Sequence, residues 1–425
     1  MKHWKILVPV LLILAVAFAY ASGSAESQSG GQQEKVLKVA SWSIQEAGTQ
    51  AYFEKLGKDF EAANPGVKID WIGFPYGQLR EQVLIQASSG NPPDVVQTAR
   101  GWLSDFINSG YFQPIEGLVS DSYINDIYPR IKEDLRYNDA LYAAPWFYSP
   151  FVMFYNTELF KKAGLDPNNP PKTYEEALAA ARKIAKLTDA DGNSVYGLGI
   201  ATSSVPVSGG SVLSFLMSFG GGVWDDSGNV IIGNDANRKA LSYLETLHNE
   251  RLNPDGAYLK DLRNLFAIGR LGMYFDQLWG LSGVLAINDQ AMSYTAAQPP
   301  IGTATTPGRS TLEAHLLMIP TDAAQPELAA KFIEFATSRE KIREYLDINP
   351  FLVARKSLAD VPEQKTELLA PLSNAASTIA SVPKNPRMTD VLLQLTSLAQ
   401  RVTVGGDTPQ QAAAAFTQWA DRELE

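Results

Sequence analysis

The residues of this chain best placed to do chemistry are aromatic. Of its eight tryptophans, Trp42, Trp102, Trp146, Trp224 and Trp279 fall at the ends of predicted elements or in loops, whereas a core tryptophan is more expected in mid-element. Tyr76 and Tyr148 fall at similar places, and Gln78, Arg100, Asp276 and Arg309 add planar polar groups. A sugar ring has an apolar face of C–H groups that stacks on the negative face of an aromatic ring. Its hydroxyls need hydrogen-bonding partners such as Asp, Gln, Asn and Arg. Each tryptophan alone could equally be packing; the set is what points to a ligand.

Signals for catalysis are thin. Histidine is limited to His3, His248 and His315, and the last two read as structural. No HExxH, G-x-S-x-G, G-x-G-x-x-G or P-loop pattern is present. The chain has no cysteine, which removes disulfides, thiolate metal sites, a thiol nucleophile and a lipid-bearing cysteine. Asp225 and Asp226 are adjacent carboxylates in a Gly/Ser turn and read as solvated. The run Asp189-Ala190-Asp191-Gly192-Asn193 only loosely resembles a calcium loop, because its glycine comes too early and no glutamate closes it. No catalytic residue, metal site or cofactor is therefore expected.

The elements that must position the aromatics follow from length and periodicity. A chain of 425 residues is long enough for two lobes. Its net charge of −10 argues against nucleic acid or an anionic membrane surface as partner. Residues 1–21 show Lys2 and Lys5, an apolar run and Ala19-Tyr20-Ala21, the pattern of a signal peptide cleaved near Ala21. Residues 22–35 are polar and Gly/Ser-rich and read as a disordered tether. Strand, helix, strand, helix and strand then alternate through Val36–Trp42, the Phe53/Leu56/Phe60 stripe, Val67–Trp71, Leu79–Ala87 and Asp94–Gln97. That alternation predicts a parallel, doubly wound sheet, with ligand sites past the carboxyl ends of its strands. Those ends carry Trp42, Tyr76, Arg100 and Trp102. Between Leu141 and Thr157 an aromatic run is broken by Pro145 and Pro150. It reads either as two core strands with a stiff turn or as a crossing between lobes, with Trp146 and Tyr148 in a cleft. Thr173 and Glu176 form a capping box; Gly269–Asp276 and Leu312–Pro320 read as strands; from Pro326 on the chain is mostly helix.

Five segments, in this order and spacing, resemble the extracellular solute-binding proteins of bacterial ABC transporters, the group that includes maltose-binding proteins. They are FEAANPGVKIDWI, SSGNPPDVVQTARGWLSDFINSGYFQPIEGLV, LYAAPWFYSPFVMFYNTELFKKAGLD with PPKTYEEALAAARKI, GRLGMYFDQLWGL, and LLMIPTDAAQPELAAKFIEFATS. The resemblance implies an α/β, two-lobed periplasmic-binding-protein fold (type II), with discontinuous lobes joined by three hinge crossings. Lobe one would take 36–144 and 276–318, lobe two 149–270 and 323–425, with crossings near 143–148, 271–276 and 318–322. It also implies a monomeric receptor outside the cytoplasm that delivers a small solute, a sugar or oligosaccharide, to an inner-membrane ABC permease. The family's contacts fall on Trp42, Tyr76, Gln78, Arg100, Trp102, Trp146, Tyr148, Trp224, Asp276 and Trp279, with Arg309 an addition in a loop less glycine-rich than usual. Arg100 with Arg309 would suit an acidic sugar, unless each pairs with a local carboxylate. Two other readings stand beside this one: a secreted carbohydrate-active enzyme with two cleft carboxylates, and the same fold holding an anionic or phosphorylated solute.

Overall fold

The structure, a computed structural model, describes residues 34–46, 48–225, 227–288, 293–302, 311, 313–366, 368–369, 372 and 384–424. The signal-peptide reading and Arg309 lie outside them, as does the tether apart from its last two residues. In chain order the strands are Lys35–Ser41 (β1), Val67–Gly73 (β2), Val95–Ala99 (β3), Phe112–Gln113 (β4), Arg136–Tyr137 (β5) and Ala140–Leu141 (β6). Ala144–Ser149 (β7), Val152–Asn156 (β8), Tyr196–Gly199 (β9), Leu271–Asp276 (β10), Tyr294–Ala297 (β11), Glu313–Pro320 (β12) and Leu352–Val353 (β13) follow. β1 begins at Lys35, inside the segment expected to be tether.

These strands build two main sheets. One has the order β13-β7-β12-β3-β1-β2, with β4 also on β12; the other runs β11-β8-β10-β9. The start of the chain forms the expected parallel unit, β1 pairing with β2 and β3. The sheets as wholes are mixed, which corrects the all-parallel expectation. β12 runs antiparallel to β3 and β7, and β8 antiparallel to β10 and β11. A strand that arrives from the other sheet need not make the helical crossover that enforces parallel pairing.

The strand pairings assign several segments to a different sheet from the lobe expected for them. β7 belongs wholly to the first sheet and β8 to the second, so this passage between sheets is at Pro150-Phe151, beyond the expected 143–148. Leu271–Asp276 is a fully buried strand within the second sheet. Tyr294–Ala297, expected in lobe one, extends the second sheet by pairing with β8. The stretch 318–322 is not a crossing. It is the end of β12, and the helix Pro326–Ala336 continues on the same core, where Phe332 meets Phe60 and Trp71. Leu352–Val353, expected in lobe two, pairs with β7. Among the described residues after β13, the last helices return to the second sheet's side: Met388–Val402 lies along Pro206–Ser218.

Local sequence explains the elements that frame the cleft. The helix Gln50–Ala63 buries Phe53, Leu56 and Phe60 on one stripe under the first sheet, the spacing of a single helix face. The helix Tyr174–Ile184 starts at a capping box in which Thr173 accepts from the Glu176 amide and the Glu176 carboxylate accepts from the Thr173 amide. Thr408 and Gln411 make the same reciprocal arrangement ahead of Pro409–Glu423. At the passage between sheets the Ser149 hydroxyl donates to the Pro150 carbonyl and accepts from the Leu278 amide, 2.8 Å each, which ties the end of β7 to the segment after β10.

Candidate functional site

A cleft of about 340 Å³ opens between the two sheets, past the carboxyl ends of β1, β3 and β10. Trp42, Glu46, Tyr76, Glu313, His315, Tyr345 and Asn349 line it from the first sheet's side. Tyr258, Arg263, Gln277, Trp279 and Ser282 line it from the other. The volume is at the lower end of small-molecule pockets, roughly 300–1,000 Å³.

Three of the expected residues, Trp42, Tyr76 and Trp279, line this cleft. Trp42 follows β1 and is buried, its ring meeting Tyr76 edge-on at 5.2 Å and His315 at 4.8 Å. Tyr76 opens the helix Tyr76–Ser88 and remains 37% exposed, the open aromatic face on this side. Trp102 is not a lining residue. It stands behind the other two, 5.6 Å from Trp42 and 4.7 Å from Tyr76, and holds their rings in place.

The remaining expected positions fall elsewhere. Trp146 and Tyr148 lie on the buried face of β7, and Trp146 packs at 5.3 Å on Phe53. Side chains alternate along a strand, so it is Phe147 between them that reaches His315 and Trp279, at 4.7 and 6.1 Å. Trp224 sits in a bridge with Val230 and packs against the second sheet's core. Gln78 is exposed on its helix, away from the cleft. Arg100 is bound bidentately to Asp134, through Nε to Oδ2 and Nη2 to Oδ1, and does not line the cleft. Asp276 is 0% exposed and also outside the lining, but it aims a residue that does line it. Its two oxygens accept from Nε and Nη2 of Arg263 at 2.6 and 2.9 Å. Gly280 is required for this approach, since a Cβ there would lie 2.1 Å from Asp276 Oδ2.

Glu313 and His315 were not among the expected site residues. They are the first two partly open positions of β12, both on one face of a strand otherwise buried. A polar pair two residues apart at the start of an apolar strand is the signal that could have marked them. Rings of Trp42, Phe147 and Trp279 surround His315, and burial lowers its pKa to about 3. Its imidazole is therefore neutral at physiological pH. Gln97 fixes the tautomer: its Oε1 accepts from Ser41, its Nε2 donates to Ser43, and the same amide faces His315 Nδ1 at 3.4 Å. Nδ1 then accepts, and Nε2 bears the hydrogen. Burial raises Glu313 to about 7, against the pull of Arg100 and with a push from Asp134. Glu46 is open to the cleft yet ringed by enough protein that desolvation raises its pKa, against the pull of Arg263.

The site thus offers aromatic faces, a neutral imidazole, an amide, an oriented guanidinium and two carboxyls. That is a set for gripping hydroxyls and C–H faces. Among the described residues no group of His, Cys, Asp and Glu is arranged to hold a metal ion, and no helix is long and apolar enough to cross a membrane.

Known proteins share this architecture. The GacH receptor of Streptomyces glaucescens GLA.O, solved unliganded and with acarbose, superposes with a TM-score of 0.81 at 22% identity, over 92% of this chain and 98% of that one. An ABC transporter solute-binding protein of Thermotoga lettingae, solved with α-D-tagatose, gives 0.80 at 24% identity, over 92% and 100%. At these identities the likeness speaks to the fold. In sequence, the chain is 25% identical to the arabinooligosaccharide-binding protein of Bacillus subtilis over 80% of this chain and 78% of the relative. It is 24% identical to the mannitol-binding protein of Pseudomonas aeruginosa over 86% and 85%. The family model described as bacterial extracellular solute-binding protein matches residues 44–341. With a two-sheet, two-lobed α/β fold and a lined cleft between the sheets, this chain belongs to the bacterial extracellular solute-binding protein family.

Proposed function

We propose that the chain is the carbohydrate receptor of an ABC importer, holding a small sugar or polyol in the cleft and presenting it to membrane permease subunits. The observation that carries this is the pairing of Trp42, Tyr76 and Trp279 with Arg263, Gln277 and His315 around one cleft of about 340 Å³. Aromatic faces supply stacking for C–H groups, and the polar set supplies hydroxyl partners. The relatives named for arabinooligosaccharide and mannitol point the same way. The cleft size favours a ligand of one or two rings over a long oligosaccharide.

In this reading the lobes are the two sheets with their helices, and they close on the ligand by hinge motion about Pro150 and the other passages. Closure requires the ligand to bind the closed form better than the open one. The protein itself carries out no reaction. Among the described residues, Arg100 and Arg263 are each engaged by a carboxylate, which disfavours an anionic or phosphorylated solute.

The test is a thermal-shift panel of mono- and disaccharides, pentitols, hexitols and sugar phosphates on the folded chain. Binding to the native state stabilises it by roughly 2.7 kcal/mol at a hundredfold excess over Kd and so raises the melting temperature with ligand concentration. A saturable rise with a sugar or polyol is expected. A rise confined to phosphates, or turnover of any sugar, would overturn the reading.

A further inference from the structure

Among the described residues, the charges that line the cleft do not balance. Arg263 is the cation among the described lining residues, and both oxygens of Asp276 hold it. Arg100, behind Glu313, is likewise held by both oxygens of Asp134. Glu46 and Glu313 line the same cleft and have no hydrogen-bond or ion-pair partner among the described residues. Both lie close enough to Tyr76 to act on its hydroxyl. Two unpaired carboxyls therefore share the cleft with the open aromatic face of Tyr76, and among the described residues no free cation balances them there.

A partly desolvated carboxyl without a partner is unfavourable, and it becomes favourable when a hydrogen-bonded cation arrives. An aromatic face beside it adds attraction for the same cation. A phosphate or uronate would instead bring a third negative charge into this corner.

We infer that the cleft is built for a sugar carrying an amino group, whose ammonium sits against Tyr76 between Glu46 and Glu313 while the ring stacks on the aromatics. This rests on the reading of the cleft as a carbohydrate site and names the class within it. The carboxylates accept the ammonium's N–H bonds. Arg263, Gln277 and the Nε2 hydrogen of His315 serve the hydroxyls. The arrangement fits an amino sugar better than a plain hexose because it leaves no carboxyl unmatched.

Isothermal titration of the full chain with matched triples tests this: each hexose, its 2-amino-2-deoxy form and its uronic acid, in one buffer at neutral pH. The amino form is expected to bind tightest in at least one triple, by about tenfold or more over the neutral sugar, as for a hydrogen bond to a charged group. The ratio of the two affinities should narrow in Glu313→Gln and narrow again with Glu46→Gln added. Equal or tighter binding of the neutral sugar in every triple that binds, or tightest binding of the uronic acid, would overturn the inference and leave the receptor reading standing. A tenfold preference that persists in the double variant would also overturn it. Absence of binding by every member of every triple would overturn both.

Discussion

At the scale of single residues, the site turns on which polar groups are engaged and which are left open. Trp279 lines the cleft and touches His315 at 4.7 Å. Trp279→Ala should weaken sugar binding about tenfold, the worth of one ring contact plus its buried area, as read by calorimetry. Glu313 gives a pH signature. Its pKa is about 7 in the native protein against an ordinary 4.5, so between those values the native state holds a proton that the unfolded state has lost. Stability contributed there is present at low pH and falls as pH rises from about 4.5 to about 7. Burial sets it, with Arg100 pulling it down and Asp134 pushing it up. Urea unfolding across that range should show the fall in the wild type and a flatter profile in Glu313→Gln; identical profiles would contradict it. His315 acts in the opposite direction, since its contribution is lost as pH drops from about 6.5 towards 3. The placement of Trp42, Tyr76 and Trp279 beside the cleft could be read from sequence, because they follow strand ends. Trp146 and Tyr148 were misplaced by strand parity, because nothing local says which face of β7 looks at the cleft. The engagement of Arg100 depends on Asp134, 34 positions away, a partnership that only the fold reveals.

At the scale of elements, close packing of a few helices and strands fixes the walls of the cleft. The helix Pro206–Ser218 lies so near Met388–Val402 that a Cβ on Gly209 would fall 2.1 Å from the Leu392 carbonyl oxygen. Gly209→Ala should therefore destabilise by about 1–3 kcal/mol, or more if the helices cannot part, measured by chemical denaturation. Trp146 is the matching case in the first sheet. It is buried against Phe53 and Phe147, and Trp146→Ala should cost about 3–5 kcal/mol. Its loss should appear in stability first, because the residue does not line the cleft. Periodicity showed the helices and the first three strands well, since apolar stripes and alternation are local signals. It could not show that β12 enters antiparallel or that Tyr294–Ala297 joins the second sheet. Those pairings are set by where the chain passes between sheets, which leaves no periodic mark. The capping box at Thr173 lies wholly within four residues and could be read directly from the sequence; Thr408 and Gln411 form another of the same length.

At the scale of the whole molecule, two sheets face one another across a cleft lined from both sides. The buried Asp276–Arg263 pair joins the end of β10 to the helix Leu259–Ala267 and turns Arg263 toward the cleft. Asp276→Ala leaves that guanidinium without its partner and should cost about 3–5 kcal/mol, with sugar affinity falling as well; a stability unchanged in urea would contradict the pairing. The amide of Leu278 on the Ser149 hydroxyl stitches the two sides beside Pro150, the passage about which the proposed hinge motion would turn. The family resemblance supplied the two-lobed α/β fold, while strand pairing assigns the segments at 144–148, 271–276 and 318–320 to β7, β10 and β12 within the sheets. The central claim is that a carbohydrate enters this cleft and the lobes close over Trp42 and Trp279. Tryptophan fluorescence of the full chain, titrated with the sugar or polyol that raises its melting temperature, tests it most directly. The account predicts a saturable emission shift that weakens by about tenfold in midpoint in Trp279→Ala. A saturable shift with the same midpoint in that variant, or a melting-temperature rise with no change in emission, would place the ligand elsewhere and contradict it.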